Sequence, residues 1–230
     1  MRGRVAVVIP AFQAAATIGD VVARTRAAAP EAQIIVVDDG STDGTGDAVR
    51  GTGGGATLVT HPRNRGKGAA LRAGIARACG ERSAVIVTLD ADGQHPPADI
   101  PRLLAPIAAG TADVVLGARG RTGPMPVSRR FTNWLSASLA SRIGGQQVSD
   151  AQTGFRAFTR EVAERVQPSG DRYEYEANFL LDALRAGYRV VSVDVATIYG
   201  ARSYFRPWAD SWRMVRAFAR HAGRIVAGAV

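Results

Sequence analysis

Short runs rich in β-branched residues, Val5 to Ile9, Ile34 to Val37, Ala84 to Leu89 and Asp113 to Leu116, alternate with longer stretches of helical spacing. Runs this brief and this apolar read as strands buried on both faces, and the stretches between them are long enough to be crossover helices. The pattern therefore predicts an α/β protein with a mostly parallel sheet. Thr17 to Ala28 and Gly68 to Cys79 are read as helices, the first with Thr17 as its N-cap and the second stopped by Gly80. Pro96-Pro97 open another helix that runs to about Ala108 and is closed by Gly110. Residues 1–117 thus read as a doubly wound, Rossmann-like half, whose ligands belong beyond the carboxyl ends of the strands.

The second half is less regular. Arg130 to Ile143 places Phe131, Trp134, Leu135, Leu139 and Ile143 on one side of a helix ended by Gly144-Gly145. A strand around Phe155 to Phe158, a helix from about Glu176 to Ala186 and a strand from Arg189 to Val195 follow. Gly51 to Gly55 reads as a turn without chemistry, and no repeat or linker marks a second domain. A chain of 230 residues buries roughly 70% of its unfolded surface on folding, enough for one core without a disulfide or metal staple. The lone Cys79 permits no internal disulfide and reads as core filler. The apolar run before Pro10 is too short for a signal peptide, and no stretch approaches the ~20 apolar residues of a membrane span. These features predict a cytoplasmic protein.

The formal charge is +9, from 29 Lys and Arg against 20 Asp and Glu, and it is unevenly spread. Val114 to Ser149 contains no acid but includes Arg119, Arg121, Arg129, Arg130 and Arg142. From Arg206 to the end, Arg206, Arg213, Arg216, Arg220 and Arg224 face Asp210 alone. Lys67 is the only lysine, so codon bias accounts for the total as readily as function does. The clustering points to an anionic partner: nucleic acid, a phosphorylated substrate or a membrane surface.

Leu89-Asp90-Ala91-Asp92-Gly93-Gln94-His95 lies where an apolar strand ends. In extended chain, residues i and i+2 project to the same side, so Asp90 and Asp92 face one site together. Two converging carboxylates repel unless a cation neutralises them, and oxygen-only ligands suit Mg2+ or Mn2+. Spacing alone equally allows a solvated turn; the strand-end position favours the metal. Asp38-Asp39-Gly40-Ser41-Thr42-Asp43-Gly44-Thr45 repeats the logic after a second strand, where carboxylates suit the N–H groups of a base or the hydroxyls of a ribose. Asp43 to Thr45 reads more simply as a turn and helix cap.

These segments carry a family resemblance. Val8-Ile9-Pro10-Ala11-Phe12, the Asp38 to Thr45 run, Asn64-Arg65-Gly66-Lys67-Gly68-Ala69-Ala70 and Asp90 to His95 occur in the order found in family 2 glycosyltransferases of the GT-A fold. The chain most resembles the dolichol-phosphate mannose synthase and polyprenyl-phosphate glycosyltransferase group. Gly117-Ala118-Arg119, Arg129-Arg130-Phe131-Thr132-Asn133, Asp150 to Arg156 and Tyr199-Gly200-Ala201-Arg202-Ser203 carry that narrower likeness. Gln13-Ala14 stands where family members commonly carry Asn-Glu, and Gln152-Thr153 precedes Gly154-Phe155-Arg156 where Thr-Ser or Thr-Cys is usual.

The resemblance implies that Pro10, Ala11 and Phe12 line the donor base pocket with Asp38 and Asp39, and that Asp39 bonds the base. Asp90, Asp92 and Gln94 would hold Mg2+ or Mn2+ and the diphosphate of a UDP- or GDP-sugar. Arg119, Arg129, Asn133, Arg202 and Ser203 would receive an acceptor phosphate, with Asp92, Arg119 and Arg129 at the chemistry. Guanidinium forks suit that task because they bind phosphate bidentately. Lys67 touches a donor phosphate or simply occupies a loop, since Gly66-Lys67-Gly68 lacks full phosphate-loop spacing. His95 reads as a turn residue, and His61 and His221 show no partner spacing. Glu174 and Glu176 read as helix-start acids or acceptor-site groups.

The expectation is an inverting, metal-dependent glycosyltransferase moving a sugar from a nucleotide-sugar onto a polyprenyl or dolichyl phosphate. It would sit peripherally at the cytoplasmic face of a membrane. Two alternatives remain: a GT-A enzyme acting on a sugar hydroxyl, with Asp150, Glu174 or Glu176 as base, and a basic nucleic-acid-binding module. The latter lacks interleaved aromatics, so no nucleic-acid partner is expected. Residues 1–205 are expected to form the catalytic domain, with 1–117 binding donor and 118–205 acceptor. Residues 206–230 form a basic amphipathic tail, with Trp208, Trp212, Val215, Ala219, Ala222 and Val226 on one face and arginines on another. That tail lies on anionic lipid or packs on the domain. The sequence leaves the oligomeric state open.

Overall fold

A computed structural model describes residues 3–119, 127–172 and 174–198; within these, the side chains of 119, 127–132, 134 and 135 are not described. Among the described residues, seven strands form one sheet: β1 (Val5–Ala11), β2 (Gln33–Asp38), β3 (Thr57–Thr60), β4 (Val85–Thr88), β5 (Val114–Arg119), β6 (Arg156–Thr159) and β7 (Val190–Val195). Their spatial order is β3-β2-β1-β4-β6-β5-β7. Every pairing is parallel except those of β6, which runs antiparallel to both β4 and β5.

The central strands are apolar throughout because both faces are covered. Ala6 and Val8 of β1 and Ile35 and Val37 of β2 face one core, shared with α3 (Lys67–Gly80) and α7 (Glu174–Arg185). Val7 and Ile9 with Ile34 and Val36 face the other, shared with α1 (Ile18–Ala28) and α4 (Ile100–Ala108). The alternation follows from the two-residue period of a strand. Helix α5 (Val127–Gly144) contributes Ala137 and Ala140 to the first core, with Leu139 and Ile143 packed against it. Cys79 packs on that core too, and burial pushes its thiol upward.

Several local readings need correction. Thr17 precedes α1 but makes no side-chain cap; its hydroxyl donates instead to Ala91 O at 2.7 Å, tying the helix start to the Asp90 loop. Gly80 and Gly144 lie inside the last turns of their helices, so Glu81 is the cap of the first and Gly145, at φ +62, the left-handed stop of the second. Strand β3, the six-residue helices α2 (Thr45–Arg50) and α6 (Arg160–Arg165), and the antiparallel course of β6 are additions to the sequence reading. The doubly wound half is therefore closed by a mixed sheet.

Candidate active site

Three parallel strands end on one sheet edge: Ala11 stands opposite Asp38, and Val8 opposite Thr88. Strand β6 runs the other way, so its beginning reaches this edge, with Arg156 opposite both Thr88 and Leu116. The segment entering β6 consequently meets the segment leaving β4. Thr88 Oγ1 donates to Gly154 O at 2.8 Å, and a Cβ on Gly154 would lie 2.6 Å from Asp90 Oδ2. Only a glycine lets the backbone approach that carboxylate so closely. Gly154→Ala should therefore displace Asp90 or the segment before β6, with ~1–3 kcal/mol of stability lost to overpacking. Thermal melts of the variant check this, and a wild-type melting temperature would show that the segment yields without consequence.

The Asp90–His95 turn is held at several points. Gly93 adopts φ +71, Asp92 Oδ1 accepts the Gln94 amide at 3.0 Å, and Gln94 O accepts the Ile198 amide at 2.8 Å. The His95 ring, 6% exposed, lies 5.5 Å from the Phe155 ring. Lys67, the first residue of α3, puts Nζ 2.7 Å from Asp90 Oδ1 and 3.1 Å from Glu176 Oε2.

The charges are unequally compensated. Burial works to raise Asp90, but the Lys67 ammonium, with His95 and Arg156 behind it, holds the carboxyl below the usual range. At Asp92 burial and the negative charge of Asp90 prevail, and the carboxyl is pushed up to about 6. Burial also raises Glu176. Asp92 is thus the acid for which a bound cation would relieve most. Among the described residues no three His, Cys, Asp or Glu side chains gather as a metal cage. Two oxygen-donor carboxylates fit an ion that completes its shell with water and substrate phosphates, as Mg2+ does.

The loops after β1 and β2 are zipped together. Gln13, at φ 52, receives Thr42 N on its amide oxygen at 2.9 Å and donates its amide to Thr42 Oγ1 at 3.2 Å. Gln13 N donates to Ser41 Oγ and Ala14 N to Thr45 Oγ1. Asp43 accepts Ala15 N and Thr45 N, which agrees with its reading as a turn, whereas the cap position of α2 is Gly44 and no side chain caps the helix. Pro10 and Ala11 are buried at the end of β1, and Phe12 is 37% exposed beside them.

Asp38 and Asp39, 4% and 2% exposed, are turned inward. Asp38 Oδ1 accepts Ser41 N at 2.9 Å. Asp39 accepts Arg65 N at 3.0 Å and Gly66 N at 2.7 Å, and lies 2.7 Å from His61 Nδ1. His61 therefore has a partner after all, one supplied by the fold and invisible in spacing. In the structure Asp39 latches the 61–66 loop that leads into Lys67.

The acceptor set is placed only in part. Arg119 ends β5 and Arg129 lies in α5, their side chains outside the described residues, as are Arg202, Ser203 and the 206–230 tail. Asn133, also on α5, has a buried amide oxygen with no hydrogen-bond partner among the described residues.

The family model "Glycosyl transferase family 2" matches residues 6–167, from the start of β1 to beyond α6. The chain belongs to that family. Among its relatives, the polyprenol monophosphomannose synthase of Mycolicibacterium smegmatis is 32% identical over 84% of this chain and 76% of its own. The undecaprenyl-phosphate mannosyltransferase of Micrococcus luteus is 30% identical over 85% of this chain and 84% of its own. Among solved structures, the glucosyl-3-phosphoglycerate synthase of Mycobacterium tuberculosis in complex with Mg2+ and uridine diphosphate superposes with a TM-score of 0.79. It is 25% identical, over 96% of this chain and 80% of that one. The protein is a family 2 glycosyltransferase with a GT-A fold.

In this glycosyltransferase Arg156 joins the site without having been assigned a role in it, and Glu176, read as a helix-start acid, an acceptor-site group or a base, joins it in a different one. Arg156, 2% exposed, donates Nε to Thr153 O at 2.7 Å, Nη1 to Glu176 O at 2.6 Å and Nη2 to Ala151 O at 3.1 Å. It binds the segment before β6 to the start of α7. Glu176 enters as the partner of Lys67, a pairing that its readings as a helix-start acid, acceptor-site group or base did not include. Tyr175 beside it is pushed up to about 12 by burial.

Proposed function

We propose that this glycosyltransferase is metal-dependent and inverting, and that it moves a sugar from a nucleotide-sugar donor to a polyprenyl or dolichyl phosphate. The observation carrying the reading is the Asp90–Asp92 pair at the carboxyl end of β4, with one acid neutralised by Lys67 and the other pushed up. Asp90, Asp92 and Gln94 would hold Mg2+ or Mn2+, which when bound stabilises the departing nucleoside diphosphate as a Lewis acid. Pro10, Ala11 and Phe12, with the Asp38–Asp39 turn behind them, would line the nucleoside, and Lys67 would balance the charge of the diphosphate.

On the acceptor side Arg119, Arg129, Asn133, Arg202 and Ser203 would hold the lipid phosphate for in-line attack. A phosphate monoester is largely ionised at neutral pH and needs no strong base. This favours a phosphate over a sugar hydroxyl, because Glu176, a base candidate for the latter, is 7% exposed and paired with Lys67, and Asp150 is 1% exposed. The two mannosyl-transferring relatives, named for undecaprenyl phosphate and polyprenol, support the same class. No described helix is long and apolar enough to cross a membrane. The basic tail would meet the lipid surface from one side, at about 1 kcal/mol per arginine.

The test is transfer from a panel of nucleotide sugars, with Mg2+ or Mn2+, to polyprenyl phosphate and to free sugars. Arg119→Ala and Arg129→Ala should each lower transfer to the lipid phosphate about tenfold to a hundredfold, the loss of a hydrogen bond to a charged group, while sparing donor binding. Transfer to a sugar hydroxyl and none to the lipid phosphate would select the other acceptor class.

A further inference from the structure

Lys67 is the only lysine in the chain, and the backbone around it is fixed with little latitude. Gly66 takes φ +102, and a Cβ there would lie 2.3 Å from Asp171 O; a Cβ on Gly68 would lie 2.6 Å from Tyr175 Cβ. Ala69 N donates to Asp171 O, and Arg72 donates to Asp171 and to Gly170 O. The first turn of α3 is thereby pressed against the residues that open α7, and Lys67 has Asp90 on one side and Glu176 on the other. The two acids use the ammonium differently. The Asp90 side chain is 26% exposed, whereas that of Glu176 is 9% exposed. Among the described residues Glu176 Oε1 is buried with no hydrogen-bond partner, so this carboxylate retains an acceptor that a buried acid normally fills.

Resting on the metal-dependent reading above, we propose that Lys67 is an exchangeable counter-cation: it neutralises Asp90 in the metal-free protein and withdraws wholly onto Glu176 when a divalent ion takes Asp90. The open Oε1 is the place to which the ammonium moves, and the pinned backbone makes the move a side-chain rotation between two fixed acids. Without Lys67, Asp90, Asp92 and Glu176 would crowd three acids into one partly buried region, at a cost in Coulomb repulsion. With it, Asp90 is neutralised in the metal-free site, and cation binding has to displace an ion pair. Lys67 is in this sense a positioning residue that sets cation affinity.

The experiment is Mn2+ binding to the full chain, without donor, by electron paramagnetic resonance. Lys67→Met should bind Mn2+ at least about tenfold more tightly than wild type and gain more in melting temperature from it. Glu176→Gln removes the acid that receives the ammonium, so Mn2+ should bind several-fold more weakly. In the Lys67→Met background the same Glu176→Gln change should have little effect, because it acts through the lysine. Equal effects in both backgrounds would reduce the matter to through-space charge and overturn the proposal, as would unchanged or weaker binding in Lys67→Met. Wild-type protein labelled with ε-carbon-13 lysine gives one side-chain resonance, which should move on saturation with Mg2+. A stationary resonance with Mg2+ bound overturns the proposal with no variant needed. Failure of wild type to bind either ion would instead remove the metal-dependent reading, and this exchange with it.

Discussion

Asp92→Asn should be inactive and, without metal, more stable than the wild type at neutral pH. Loss of activity follows if Asp92 holds the cation: removing one preorganised electrostatic contact typically costs ~10²–10³-fold in rate. The stability gain follows from the raised carboxyl. Its folded value, about 6 against an ordinary value of 3.8, means that between these pH values the folded state keeps a proton that the unfolded chain has released. Stability of the metal-free protein therefore falls as pH rises through that window and stays low above it. At 1.36 kcal/mol per unit the penalty at neutral pH is of the order of 1–3 kcal/mol. The asparagine carries no charge and escapes it. Thermal melts from pH 4.5 to 7.5, in chelator and then in saturating Mn2+, should show the wild type losing stability with pH in chelator and regaining it with metal. The variant, in which the raised Glu176 carboxyl remains, should lose less stability with pH than the wild type and gain none from metal. Below about pH 6, wild-type metal binding should also release a proton. A variant that transfers sugar normally, or melts lower than wild type at pH 7 in chelator, would remove Asp92 from the cation site.

How far such a site was legible depends on which residues the fold had to bring together. Strands β1, β2, β4 and β5 could be read because burial on both faces demands near-continuous β-branched runs. The Asp90–Asp92 pair drew notice as i, i+2 neighbours in an extended chain, but β4 ends at Thr88 and residues 91–92 form a turn, so it is the turn that sets the two carboxylates against each other. Strand β3 escaped because it is four partly exposed residues following a glycine-rich turn. The direction of β6 escaped because a short apolar run carries no sign of its polarity in the sheet. That direction turned out to matter most, since it brings Gly154 against Asp90 and Arg156 beside Thr88. Long-range partners were likewise hidden. Asp39 reaches His61 and Lys67 reaches Glu176 across intervening elements, so neither pair has a spacing to recognise. The family resemblance supplied the Gly154-Phe155-Arg156 motif, but only the structure gives the arginine a task.

Arg156→Met should unfold far more easily than the wild type. Methionine keeps most of the volume, so the change isolates the guanidinium. Three backbone carbonyls, of Ala151, Thr153 and Glu176, would lose their charged donor in a region where water cannot replace it. Burial pulls the arginine below its ordinary value, and the nearby Glu176, Asp150 and Asp90 pull it back; removing it leaves those acids with less compensation. Taking one partner from a buried charged network typically costs ~3–5 kcal/mol, against ~0–1 for an exposed pair such as Arg24–Asp20. For a chain of this size that is a fall of roughly 6–20 °C in melting temperature. Arg156→Lys restores the charge but has one ammonium where the fork reaches three carbonyls in different directions, so it should recover only part of the loss. Because Ala151 and Thr153 lie just before Gly154, the methionine variant should also bind Mn2+ more weakly at temperatures where it remains folded. A methionine variant within about 1 kcal/mol of wild type in urea, with unaltered Mn2+ affinity, would mean that the segment before β6 is held by packing alone and that the buried arginine neither fixes the fold nor supports the site.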